Sequence, residues 1–125
     1  MCARISLHVG PSAGSPRAAR HHIAAHLDLP ADIAANVDVI VSELVANAVL
    51  HGTPPIQATA TLQHGTLRIA VHDQDPEMGS PTPDSRGLTL VAHLSTSWGV
   101  TPDGDGGKSV WAELPAPHLK PYRPT

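Results

Sequence analysis

Residues 56–73, IQATATLQHGTLRIAVHD, decide the fold. In the first half Ile56, Ala58, Ala60 and Leu62 alternate with Gln57, Thr59, Thr61 and Gln63. In the second half Leu67, Ile69 and Val71 alternate with Arg68, Ala70 and His72. A period of two over runs this short describes half-buried strands. Between them His64-Gly65 fits a tight hairpin turn. Strands joined this closely are antiparallel, because a parallel pair needs a crossover of about a dozen residues or more.

Upstream of the hairpin the period is helical. Residues 33–52, IAANVDVIVSELVANAVLHG, keep Ile33, Val37, Ile40, Leu44 and Ala48 on one stripe, and the helix is expected to start around residues 30–32. Gly52 suits the position just past its end, and Pro54 and Pro55 prevent continuation. An earlier helix is expected from Ser15-Pro16, read as N-cap and first helical residue, to near Pro30. Before it, Ile5, Leu7 and Val9 alternate with polar neighbours as a strand.

Downstream, residues 74–84 are rich in Pro and Asp and have no period, which makes them a surface loop. RGLTLVAHL, residues 86–94, reads as a short helix with Ser85 as N-cap. TSWGVTP and KSVWAEL read as two more strands, joined by the turn sequence DGDGG. Residues 115–125, with four prolines, read as a flexible tail beyond a single domain over residues 1–114. Hairpin-joined strands and helices in separate blocks predict an α+β two-layer sandwich, with helices on one face of a mostly antiparallel sheet. A doubly wound dinucleotide fold needs βα alternation throughout and is excluded.

Composition narrows the function. The chain has 125 residues, 41% of them hydrophobic but only 2% aromatic, and no Phe. The core must therefore be Ala, Val, Leu and Ile, and stacking platforms for single-stranded nucleic acid are lacking. A net charge of −3 without a Lys/Arg run argues against binding a phosphate backbone. The single cysteine, Cys2, cannot form an internal disulfide. The N-terminus lacks the apolar segment of a signal peptide, and no uninterrupted apolar run approaches the roughly 20 residues of a membrane span. The expectation is a cytoplasmic domain with neither nucleic acid nor membrane as partner.

Four local patterns could carry chemistry. Glu43 and Asn47 lie one turn apart, about 40° around the helix, beside the apolar stripe. Taken alone they read by default as a surface Glu beside a helix-interior Asn, but together they also suit a hard cation and a polarised nucleophile. Asp73 ends a strand where the chain opens into a loop, a place where Asp also commonly starts a turn. A calcium loop from Asp73 fails, since Met78 and Asp84 occupy the positions of its required Gly and Glu. Arg86-Gly87-Leu88 opens a short helix, and a glycine pair precedes Lys108-Ser109, although a tight turn alone explains those glycines. His22 and His26 have metal-pair spacing but no evident third ligand.

The ordered run E-L-V-x-N-A-x-x-H, an Asp at a strand end, R-G-L before a helix and G-K-S-V-W resembles the GHKL ATP-binding domains. Within these it looks most like the small anti-sigma-factor serine kinases, over roughly residues 3 to 114. The resemblance implies a Bergerat-type ATP-binding fold with ATP and Mg²⁺ as cofactors. It implies that Asn47 holds Mg²⁺ at the phosphates and that Glu43 is the general base for an attacking serine hydroxyl. Asp73 would accept a hydrogen bond from the adenine amino group, and Arg86, Gly87 and Leu88 would form the second glycine box. Lys108 and Ser109 would lie with the nucleotide, Ser109 where the family usually has a Thr near the adenine. Partners implied are a sigma factor and an anti-anti-sigma protein, with a homodimer also open. Two positions depart from the pattern: Asp75 stands at the first glycine of the first box, and Ser85 replaces the leading Gly of the second. Both remove backbone freedom where the chain must wrap a nucleotide, which predicts weak binding or slow turnover. A non-catalytic GHKL module that holds nucleotide or a partner protein is the alternative reading.

Overall fold

The computed structural model describes residues 2–75, 88–116 and 120–121. Strand β1 (Cys2–Val9) leads into helix α1 (Ser15–His26), a two-residue strand β2 (Leu27–Asp28) and helix α2 (Ala31–His51). The hairpin follows as β3 (Ile56–Gln63) and β4 (Thr66–Asp73). Helix α3 (Thr89–Leu94), β5 (Ser97–Pro102), β6 (Lys108–Pro115) and β7 (Lys120–Pro121) complete the order. Five strands form one sheet, β1-β3-β4-β6-β5, and each pairing in it is antiparallel. The architecture is the expected α+β two-layer sandwich.

The hairpin closes as its sequence dictates. His64 and Gly65 have φ of 53° and 75°, the two positive values that a type I′ turn requires. On the inner face of the sheet, Ala58, Ala60, Leu67, Ile69, Val71, Val110 and Ala112 are buried. Helix α2 packs against β3, β4 and β6, α1 against β1, and α3 against β5 and β6. From α2 come Val37, Ile40, Val41, Leu44 and Val45, all nearly inaccessible. By length and composition alone α2 would pass as a membrane span, with 21 residues and a mean hydropathy of 1.7 over its most apolar 18-residue window. Its apolar stripe is instead covered by the sheet and by α1 and α3, so it is the core helix.

Four expectations need correction or a limit. Helix α1 starts at Ser15 itself, with Gly14 in the cap position and no side-chain cap. The Ser15 hydroxyl turns back to donate to the Gly10 carbonyl and lies 3.0 Å from Ser12 Oγ. The same helix stops at His26, not near Pro30, because Leu27–Asp28 become extended and pair with Lys120–Pro121. Pro30 disfavours helical geometry in the residue before it, which suits this early exit. The tail is engaged at specific points: Ala116 is buried and its N–H donates to the Gly65 carbonyl at 2.7 Å. Helix α3 begins at Thr89 with Leu88 in the cap position; Ser85, the expected N-cap, lies outside the described residues.

Candidate functional site

The C-terminal half of α2 carries Asn47 to the margin of the core. Its side chain is 6% exposed, and Oδ1 has no hydrogen-bond partner among the described residues. An amide oxygen buried without a partner costs stability, so it marks a position held for something else. Glu43, one turn earlier and about 40° around the axis, is half-buried. Five residues beyond Asn47, about 7.5 Å of helix rise, the chain leaves α2 at Gly52.

There it meets the end of β4. Asp73, 2% exposed, accepts through Oδ1 from the Thr53 N–H at 3.3 Å and the Asp75 N–H at 2.8 Å. Lys108 Nζ donates to the same oxygen at 3.1 Å and to the Asp75 carbonyl at 3.3 Å, and lies 3.7 Å from Asp75 Oδ2. Asp73 and Lys108 are register partners across β4 and β6, so both side chains point to the helix side. Two glycines make room for this pair. A Cβ on Gly52 would come 2.7 Å from the Asp73 carboxyl carbon, and one on Gly107 would overlap the Asp73 carbonyl oxygen.

Strand parity separates residues that were expected together. Along β6 the buried positions are Lys108, Val110, Ala112 and Leu114, and Ser109 faces the other side of the sheet. There Ser109 Oγ donates to Asp103 Oδ2 at 2.7 Å, in a groove that also holds His72 and Asp105. Ser109 is therefore not with Asp73, and Lys108 takes the inner place. The signal was in the sequence: Val110, Ala112 and Leu114 are the apolar set, and Lys108 shares their parity.

The outer groove was not foreseen. His72 Nδ1 pairs with Asp103 Oδ2, and its Nε2 lies 3.1 Å from Asp105 Oδ2. Asp105 also accepts from the Gly107 N–H at 3.0 Å and the Gln74 amide at 3.2 Å. The Gly107 N–H, then Gln74 and His72, hold its carboxyl below the ordinary carboxylate range. The three side chains are close enough to share a cation, yet they already satisfy one another. His22 and His26 stack at 4.5 Å and belong to no cluster of three metal-ligating groups among the described residues.

A family model for the histidine kinase-like ATPase domain matches residues 12–114. The chain belongs to this family. It is thus a GHKL-type ATP-binding module, and comparison with curated proteins finds none similar to it. Domains of this family bind ATP, usually with Mg²⁺. The residues present fit such a ligand: Asn47 Oδ1 is a hard oxygen donor, buried and without a partner among the described residues. Of the other residues assigned from the GHKL resemblance, Leu88 is buried at the start of α3. Arg86 and Gly87 lie outside the described residues.

Proposed function

We propose that this GHKL module is a regulatory protein kinase that transfers phosphate from ATP, with Mg²⁺, to a serine of an anti-anti-sigma partner and also sequesters a sigma factor. The observation that carries the reading is on α2: Asn47 Oδ1, unpartnered among the described residues, with half-buried Glu43 one turn before it. A site that only bound nucleotide would need the first residue but not the second.

In this reading Asn47 holds Mg²⁺, which when bound neutralises charge on the phosphates. Asp73 accepts from the adenine amino group and fixes the nucleotide against the ends of β4 and β6. Glu43 takes the proton of the serine hydroxyl through a carboxylate oxygen as that hydroxyl oxygen bonds to the γ-phosphorus. The bond to the β-phosphate oxygen breaks and ADP leaves. Most of the rate gain in such a transfer comes from positioning and charge compensation. A carboxylate general base contributes about 10²–10⁴-fold.

Incubation with labelled ATP, Mg²⁺ and candidate partner proteins tests the proposal. A phosphoserine on one partner, reduced at least about a hundredfold in Glu43→Ala, is the expected result. Absence of label from every partner, with Glu43→Ala indistinguishable from the parent, would refute the kinase.

The second reading is a nucleotide-holding module without catalysis. It is favoured by Asp75, which stands where the first glycine of the box is usual. Its N–H is tied to Asp73 and its carbonyl to Lys108, so the start of the loop is pinned to the site. Stabilisation by Mg²⁺-ATP without phosphotransfer would select this reading.

A further inference from the structure

We infer that His72, Gln74 and Asp105 form a binding site for a divalent transition-metal ion of the Zn²⁺ or Ni²⁺ type, on the outer face of the sheet. The site is independent of the nucleotide reading. His72, Asp103 and Asp105 satisfy one another only while both ring nitrogens of His72 carry hydrogen. Nδ1 pairs with Asp103 Oδ2, and a carboxylate only accepts, so Nδ1 is a donor. In the neutral ring Nε2 is then a lone pair. It lies 3.1 Å from Asp105 Oδ2, acceptor against acceptor. A proton or a metal ion between the two atoms removes that opposition. The Gln74 amide nitrogen spans them, 2.9 Å from Nε2 and 3.2 Å from Oδ2.

These three positions form a triangle with sides of 2.9, 3.1 and 3.2 Å. Neighbouring ligands of an octahedral ion with bonds of about 2.1 Å lie about 3.0 Å apart, against about 3.4 Å in a tetrahedron. The triangle therefore has the size of one octahedral face. A half-turn of the Gln74 amide presents its oxygen as the third ligand, beside an imidazole nitrogen and a carboxylate oxygen. The surroundings are those of a ligating histidine, whose other ring nitrogen donates to a carboxylate that fixes the tautomer and the ring. Asp103 fills that role and is itself held by the Ser109 hydroxyl at 2.7 Å. Asp105 keeps Oδ2 for the ion because the Gly107 N–H takes Oδ1 at 3.0 Å. The outer groove, about 590 Å³ and lined by His72, Asp103 and Asp105, gives an entry path and room for water at the remaining positions. An imidazole ligand favours Zn²⁺ and Ni²⁺ over Mg²⁺. Bound there, the ion ties the end of β4 to the β5–β6 turn and so stabilises the folded chain.

Calorimetric titration of the nucleotide-free full chain with Zn²⁺, Ni²⁺ and Mg²⁺, with melts in parallel, tests the inference. The parent should bind Zn²⁺ or Ni²⁺ at least about tenfold more tightly than Mg²⁺, and its melting temperature should rise with the bound ion. His72→Ala and Asp105→Asn should each abolish both effects, and Asp103→Asn should weaken binding about 10–100-fold. His26→Ala, which breaks the His22–His26 pair on α1, should leave both effects unchanged. Binding that survives His72→Ala and Asp105→Asn overturns the inference, and its loss in His26→Ala would then place the ion on α1. A parent that binds neither Zn²⁺ nor Ni²⁺ also overturns it, and leaves a proton on Nε2 as the positive charge between His72 and Asp105. Because no nucleotide is present, neither failure bears on the ATP site.

Discussion

At the scale of single residues, the site is a place where stability has been given up. Asn47 is an amide in a helix that otherwise buries Val37, Ile40, Val41, Leu44 and Val45, and its oxygen has no partner among the described residues. Leucine has the same branched side-chain skeleton, and helix propensity favours it. Asn47→Leu is therefore expected to leave the nucleotide-free protein as stable as the parent or more stable, by up to about 2 kcal/mol. The same change should abolish the rise in melting temperature produced by Mg²⁺-ATP. Paired melts with and without nucleotide read both effects. A variant that is destabilised yet still stabilised by Mg²⁺-ATP would show that Asn47 is a packing residue.

At the scale of elements, what the sequence revealed depended on how local the determining physics is. The β3–β4 hairpin was legible because its register is set by two turn residues and by strict alternation on either side. His64 adopts the left-handed conformation at φ 53°, where asparagine is better accommodated and Asn-Gly is the favoured pair. His64→Asn should therefore stabilise the protein by about 0.5 kcal/mol, a fraction of the roughly 1–2 kcal/mol that left-handed backbone costs an ordinary L residue. Chemical denaturation would show it as a higher midpoint at unchanged slope, and a lower midpoint would count against the type I′ geometry. Strand β2 was not legible, since two residues carry no period and it exists through pairing with Lys120–Pro121. The site was half legible for a related reason. Motif order brought attention to Lys108 and Ser109 together, but adjacent residues on a strand face opposite ways. Only parity with Val110, Ala112 and Leu114 assigns the inner face to the lysine.

At the scale of the whole molecule, a core without Phe must gain its burial from many small aliphatic contacts, so its edges matter. Residues 1–114 read as the whole domain because residues 115–125, with four prolines, suggest a loose tail. The structure carries the chain on through Pro115, paired with Thr66, to Ala116, which is 1% exposed and donates its N–H to the Gly65 carbonyl. That bond crosses to the turn of the β3–β4 hairpin, so the last residues of β6 clamp an element far away in sequence. A chain ending at Leu114 loses this hydrogen bond and the buried methyl. Compared with one ending at Ala116 it should be less stable by about 1–2 kcal/mol, the sum of one net backbone bond and a small apolar burial. Equilibrium urea unfolding of the two truncated chains measures the difference. Because Asp73 lies at the opposite end of β4 from Thr66, the loss should appear in stability while Mg²⁺-ATP still raises the melting temperature of both chains. Equal midpoints would place the functional boundary at Leu114 after all.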